Sequence, residues 1–402
     1  MLLGFKTELK LNNQQRSLLA QHAGTARHAW NWGLALTKQI LDHNQANPDE
    51  KIKFPTAIDR PEWLVALVKS EHDWYYQVSK CAPQWALRAL SDGWKRCFKK
   101  IAKPPNFKKK GKQDSFTLDG SIKIAHQKIK VPVIGWLKTY ERLPDGYQPK
   151  SVTISKKANR WFISFKMEVE QQTTNKTHDV VGCDLGIKSL ATLSTGETFE
   201  GSKSYRKYEK QLARLQYLNR HKVKGSNNWN KAQRQIAKLH FKIANIRKDT
   251  LHKLTTYLAK NHGQIVIEDL NVSGMMANHK LAKAVQDMGF YEFRRQLDYK
   301  TQLYGSELII ADRWFPSSKT CSNCGYKKES LSLTERVFEC EQCHVVCGRD
   351  LNASLNLASL AVSSTVSAWV VDSADTTTVK QEVNSNSHFE TILRCFSDLE
   401  IR

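Results

Sequence analysis

Apolar and polar positions alternate over residues 2 to 11, LLGFKTELKL, as in a strand with one buried face. From Asn12, a residue type suited to an N-cap, the period becomes helical, with Leu18, Leu19, Ala26, Trp30, Leu34 and Leu41 near one stripe. Helical text continues through WLVALVKS and QVSKCAPQWALRALSDGWKRCFKKI and stops at Pro104 and Pro105, where the basic, turn-rich PPNFKKKGKQDSF reads as a loop. From Ser115 the runs SFTLDG, SIKIAHQKIKVPVIGWLKTY and KSVTISKKANRWFISFKMEVE predict antiparallel strands of a small barrel, which the first strand joins. After a break at QQTTNKTHD, the segment VVGCDLGIKSLATLSTGETF predicts two strands around a glycine turn. Two long helices are expected next, near Tyr205 to Lys222 and Asn228 to Lys260. In the second, Ile236, Leu239, Ile243, Ile246, Thr250 and Leu254 share an inward face, while Arg234, Lys238, Lys242, Arg247, Lys248 and Lys253 lie opposite. The strand GQIVIEDL, a helix from about Leu281 through FRRQLDYKTQLYG, the strand ELIIAD and a helix from about Leu351 complete the pattern. From Val379 the chain is polar and Asn/Ser-rich, which predicts disorder.

The 402 residues are enough for more than one domain, and 40% hydrophobic content allows real cores. Lys and Arg number 62 against 39 Asp and Glu, a formal charge of +23. Residues 361 to 402 hold three Lys or Arg against six Asp or Glu, so residues 1 to 360 carry +26. That field favours a polyanionic partner bound in a salt-dependent way. No apolar run approaches the roughly 18 to 20 residues of a membrane span, and MLLGFKTELKLNNQQ lacks the apolar region of a signal peptide. The expectation is a cytoplasmic, nucleoid-associated protein without a membrane partner. Nine cysteines, four of them clustered, point to a reducing compartment and a metal site rather than a disulfide framework.

Three acids stand at edges of apolar segments: Asp184 in VVGCDLGIK, Glu268 in QIVIEDLNV and Asp350 in CGRDLNASLNL. Singly, each has a plain explanation as a strand end, a surface residue beside Asp269, or a helix cap. Together, in the order D, E, D, they match what an RNase H-like core brings to one place: a first strand, a later buried strand and a helix start. Such carboxylates suit two Mg²⁺ ions about 4 Å apart, which activate water and stabilise the leaving oxygen of a phosphodiester. Cys321 and Cys324, then Cys340 and Cys343, form two CxxC knuckles 15 residues apart, the pattern of one closed, structural Zn²⁺ site. His344 and Cys347 lie close enough to be minor alternatives. Candidate phosphate contacts are Lys108, Lys109 and Lys110 in FKKKGK, and Lys238 and Arg247 on the second long helix. Trp30, Trp32 and Trp136 are candidates for base stacking, with a core role the commoner use of such residues.

GCDLGIKSLATLSTGE, IVIEDLNVSGM, FPSSKTCSNCG and the second CxxC followed by RDLNASLNL resemble the TnpB family of transposon-encoded RNA-guided nucleases, relatives of type V CRISPR effectors. TARHAWNWGLAL, QWALRALSDGWKRCFKK, FKKKGKQDSF and LARLQ with LHKLTTYL extend the resemblance over roughly residues 2 to 360. The resemblance implies an α/β multidomain protein. It would have a wedge barrel from residues 1–11 and 114–178, a helical recognition domain at 12–113, and a RuvC-like nuclease at 179–318 and 347–378. A zinc ribbon at 319–346 and a disordered tail at 379–402 complete it. It further implies that Asp184, Glu268 and Asp350 are catalytic acids binding two Mg²⁺. A transposon right-end RNA would act as guide for a monomeric ribonucleoprotein that cuts both strands of target DNA beside a short adjacent motif. One departure is Gly348 in Gly348-Arg349-Asp350, where the family usually has Asp. Two alternatives remain in view: a nuclease-inactive RNA-guided repressor, which should have lost an acid, and an RNase H-like transposase working without guide RNA.

Overall fold

A computed structural model describes residues 1–55, 59–332 and 334–368. The tail from Val379 lies outside them. The described residues form two compact units, one from Leu2 to Glu168 and the other of Met1 and residues 169–368.

The first unit is built on a seven-stranded antiparallel sheet in the order β2-β6-β7-β1-β5-β4-β3. Its strands are β1 (Leu2–Lys10), β2 (Ser115–Asp119), β3 (Lys123–Ala125), β4 (Lys128–Val131), β5 (Gly135–Thr139), β6 (Ser151–Lys157) and β7 (Arg160–Glu168). The N-terminal strand is central, between β7 and β5, as its alternation suggested. β1, β2 and β4 to β7 all contribute to one core that includes Leu9, Phe116, Ile129, Leu137, Ile154 and Ile163. The sheet does not close into the expected barrel, because β2 and β3 at its ends do not pair among the described residues. Helices α1 (Asn13–Ala46) and α3 (Cys81–Phe98) cover the core beside β2 with Leu19, Ala23, Ala82 and Ala86. Asn12 caps α1 through a full capping box with Gln15, satisfying end amides that would otherwise face water alone. Further along α1, Ala29 packs with Tyr75 and Leu87, and Leu34 with Leu90 and Trp94, so the buried stripe changes partners along the helix. A short α2 (Asp59–Leu67) and two single turns at Lys69–Glu71 and Asp73–Gln77 connect them.

The second unit has a five-stranded sheet in the order β10-β9-β8-β11-β12. These strands are β8 (His178–Asp184), β9 (Ala191–Leu193), β10 (Thr198–Phe199), β11 (His262–Glu268) and β12 (Glu307–Ala311). β8, β11 and β12 are mutually parallel, and β9 runs antiparallel to β8. Val181, Cys183, Ile265 and Ile267 face a core with Leu254, Leu258, Phe293 and Leu297, residues of α5 (Asn227–Asn261) and α8 (Phe290–Tyr304). Val266 and Ala311 face the opposite layer, Leu357 and Ala361 of α9 (Arg349–Ala368). Burial on both sides explains why these strands read as unbroken apolar runs. α4 (Ser204–Arg220) pairs with α5 along Leu212, Ile236, Leu239 and Ile243.

Three further readings change. The segment after Thr177 holds three strands instead of two, since β9 and β10 are too short to show a period. The helix expected from Leu281 is divided into α7 (Ala282–Met288) and α8 at Gly289, whose φ of 78° leaves the helical region, and α6 (Val272–Ala277) precedes it. The segment taken as a break belongs to the second unit: Lys176 donates to the carbonyls of Ala259 and Tyr304 at 2.8 Å each, tying it to the ends of α5 and α8. The zinc-ribbon segment contains β13 (Val337–Glu339) and β14 (Val346–Gly348), paired antiparallel.

Candidate active site and metal centre

Asp184 and Glu268 are the last residues of β8 and β11, adjacent parallel strands registered with Ile267 opposite Cys183. Both therefore stand at the carboxyl edge of the sheet, where open α/β folds place their sites. Side chains alternate along a strand, so Gly182 and Asp184 share the face of Val266 and Glu268, the face covered by α9. Gly182 sets the closeness of that cover. A Cβ there would overlap the Ser354 carbonyl oxygen and lie 2.6 Å from the Ala358 amide nitrogen, so only glycine lets α9 lie directly on β8. Asp350 is one helical turn before Ser354 and so rises beside the end of β8 where Asp184 emerges. It lies inside the first turn of α9 rather than at its cap, where the helix dipole favours a carboxylate.

The electrostatics follow from this geometry. Burial pushes the Asp184 carboxyl up to about 7, and the negative charges of Glu268 and Asp350 add to the push, while Arg349 opposes it. Glu268 is held by the hydroxyl of buried Ser317, which donates to it. The Ser317 carbonyl accepts from Asn356 at 2.7 Å, and Asn356 and Asn352 both donate to the Thr320 carbonyl at 2.6 and 2.7 Å. A polar chain thus runs from α9 to Glu268. Ser317, Asn352 and Asn356 escaped the sequence reading. Their signal was two amides four apart on an otherwise apolar helix face.

Asp269 does not join the group. Its two carboxylate oxygens take Arg294 and Arg313, each at 2.5 Å, which commits it to an ion-pair triad and disqualifies it as a substitute ligand. Three hard oxygen donors pressing on one another, with one carboxyl forced toward protonation, fit a divalent cation of the Mg²⁺ type. Among the described residues, only the four cysteines bring three or more ligand atoms within 4.8 Å of one another; the carboxylates are less tightly gathered.

Cys321, Cys324, Cys340 and Cys343 form that compact quartet, with sulfurs 3.6 Å apart for Cys321 and Cys343 and 3.5 Å for Cys324 and Cys340. Tetrahedral thiolates at the usual Zn–S distance of about 2.3 Å would stand about 3.8 Å apart, so the donor set fits one Zn²⁺. The two knuckles repeat each other. Gly325 N–H donates to the Cys321 carbonyl and His344 N–H to that of Cys340, both at 3.0 Å. Gly325 and His344 both have left-handed backbones, with φ of 79° and 56°. His344 is therefore the second knuckle's turn residue and Cys347 a strand residue opposite Phe338; both stand outside the quartet.

The basic candidates separate. Lys109, Lys110 and Lys238 are exposed. Lys108 lies 3.9 Å over the Trp30 ring, its charge disfavoured by burial, and its backbone pairs twice with Asn31. Trp30 also donates to the Asn106 carbonyl, so both residues fasten the loop to α1. Trp32 packs beside the Tyr75 core, while Trp136 is 44% exposed. Arg247 donates to the Gln286 carbonyl at 2.6 Å with its stem against Gly289, which makes it a brace between α5 and α7.

Comparison with known proteins gives the lineage. A family model described as "Probable transposase" matches residues 164–279, "Cas12f1-like, TNB domain" matches 290–357, and "Helix-turn-helix domain" matches 1–46. Over 375 residues the chain is 34% identical to the "Putative RNA-guided DNA endonuclease InsQ" of Escherichia coli K12, covering 89% of this chain and 91% of that one. The chain belongs to the TnpB family. A second TnpB-type relative, a "Putative RNA-guided DNA endonuclease" of Streptomyces pristinaespiralis, is 40% identical over 301 residues, 72% of this chain and 73% of its own. The solved structure titled "Structure of the mini-RNA-guided endonuclease CRISPR-Cas_phi3" shares the fold, with a TM-score of 0.51 and 10% identity over 90% of this chain and 92% of that one. In this TnpB-family chain, residues 1–46 are one strand and a single long helix, whatever the helix-turn-helix description suggests. At Gly348, where the resemblance leads one to expect Asp, an added Cβ would meet only Leu351 at 4.0 Å, so the position has room for a larger residue.

Proposed function

We propose that this chain is an RNA-guided, Mg²⁺-dependent DNA endonuclease that makes double-strand breaks at guide-complementary sites beside a short adjacent motif. The observation that carries this reading is the convergence of Asp184, Glu268 and Asp350 at one sheet edge, with Asp184 raised to about 7. Ionised carboxylates in a half-buried cluster repel one another, and a site that keeps all three has a use for a cation. Mg²⁺ held there would lower the pKa of a bound water and stabilise the charge that develops on the phosphate oxygens. Asp184 and Asp350 would together hold one ion, Asp184 losing its proton on binding, and Glu268, oriented by the Ser317 hydroxyl, would hold the second. A Zn²⁺ held by the cysteine quartet would keep the segment between β12 and α9 folded, so that Asn352 and Asn356 can clasp Ser317 and Thr320.

The relatives' names support the RNA-guided part, and the +26 over residues 1 to 360 supports a polyanion held over a wide surface. In this reading a transposon right-end RNA is bound in part by Lys109, Lys110 and Lys238. The first unit combines the wedge and the recognition domain, and base pairing supplies sequence selectivity. The deciding experiment purifies the protein with its co-expressed RNA and offers a guide-complementary duplex in Mg²⁺. Cutting should vanish on removing the RNA or adding chelator. Strand transfer that persists without RNA would favour the transposase alternative, and tight guided binding without cutting would favour the repressor.

A further inference from the structure

A groove of about 400 Å³ opens beside the carboxylate cluster, with Glu268 itself in its wall. Its floor is apolar, with Leu185, Leu270, Val272 and Phe290, and its rim carries Tyr291, Arg294 and Arg313. Tyr291 is 70% exposed, a large ring left in solvent on α8. Arg294, three residues on, lies on the same side of that helix. Arg294 and Arg313 share the single carboxylate of Asp269, so the triad retains one net positive charge, and both side chains stay more than 40% exposed with N–H groups to spare.

We propose that this groove seats one unpaired nucleotide of the DNA strand next to the scissile phosphate. The base would stack against Tyr291 over the apolar floor, and the neighbouring phosphate would be bridged by Arg294 and Arg313. Apolar floor and open ring select a single strand, because a duplex keeps its base faces stacked inside and presents only phosphates. Asp269 is then a positioning residue: it aims two guanidinium groups at one place and keeps them from collapsing onto Glu268. The proposal rests on the nuclease reading for its choice of strand.

The test uses the full-length protein and a short single-stranded DNA carrying one 2-aminopurine, whose fluorescence falls on stacking. Tyr291→Ala should weaken binding and quenching about tenfold, while Tyr291→Phe, which keeps the ring, stays within about twofold of wild type. Asp269→Asn should change binding less than Tyr291→Ala does and steepen its salt dependence, because the triad then carries two positive charges instead of one. In guided cleavage by the RNA-loaded protein, Tyr291→Ala should raise KM with kcat within about threefold, since stacking acts equally on bound substrate and transition state. Because Tyr291 is on the surface, its loss does not threaten folding. Unchanged binding by Tyr291→Ala, or a duplex that competes as well as the single strand, overturns the proposal. If wild type fails to cut guided DNA while quenching depends on Tyr291, the nuclease reading falls and the groove stands. If wild type cuts and quenching ignores Tyr291, the groove alone falls.

Discussion

Replacing Asp184 by Asn should make the metal-free protein more stable while abolishing cleavage. The carboxyl is raised from its ordinary 3.8 to about 7, burial first and the charges of Glu268 and Asp350 next. Because the folded state holds this proton more tightly than the unfolded chain, stability falls as pH rises from about 4 to about 7 and levels off above. At 1.36 kcal/mol per pH unit the full penalty at pH 8 is about 4 kcal/mol, and relaxation with water entry leaves about half of it in practice. Asn keeps the shape and loses the charge. For a unit of this size about 2 kcal/mol corresponds to roughly 4 to 8 °C in Tm. The assay is a thermal melt of both proteins in chelator at pH 5 and pH 8. The gap should be small at pH 5 and several degrees at pH 8, and saturating Mg²⁺ should narrow or reverse it by stabilising only the wild type. An Asp184→Asn variant no more stable than wild type at pH 8, with no dependence of the gap on pH, would refute the claim that the three carboxylates crowd one another.

Elemental analysis should find one zinc per chain, and Cys321→Ser should lose it and destabilise the second unit. His344→Gly should keep zinc and gain about 1 kcal/mol in a melt, since only the side chain is strained at that left-handed position; zinc loss would make His344 a ligand after all. Ser317→Ala should weaken apparent Mg²⁺ affinity about tenfold, with cleavage recovering at high Mg²⁺, because the hydroxyl holds Glu268 rather than the ion. Replacing Lys109 and Lys110 together by Ala should lower the slope of log affinity against log salt by about one to two, whereas Lys108→Ala should chiefly loosen the loop on Trp30. Equal effects of all three lysines on the slope would contradict the packed position of Lys108.

The elements with a sustained period were legible: β1, α1, α5, β11 and β12 lie where their patterns placed them. What failed was short or interrupted. β9, β10 and α6 have no room for a period, and the α7–α8 break depends on one glycine whose φ no window of hydropathy reports. The charge runs were the least legible. Lys108 and its two neighbours are alike as text, yet one caps an indole and the others meet water, a difference set by Asn31 and Trp30 some 77 residues away in sequence. Arg247 reads as an outer-face cation and is a brace, because Gly289 opens a place for its stem. Sequence spacing can say which groups exist; only the fold says which already have partners.

The acids were legible for a different reason. Each sits where an apolar run ends, and the ends of buried strands and helices are where a chain can expose a charge without breaking a core. Convergence, however, depends on residues with no chemistry of their own. Gly182 lets α9 touch β8, and without that contact Asp350 would stand a side chain's width too far out. Asn352 and Asn356 then fix the turn that delivers Ser317 to Glu268, although amides on an apolar helix face weaken a helix taken alone. A missing side chain, two misplaced amides and a carboxyl near pH 7 are each a local fault. They lie within one turn or two of the same point, and that coincidence is what favours the proposed cation site over three acids that merely end their elements.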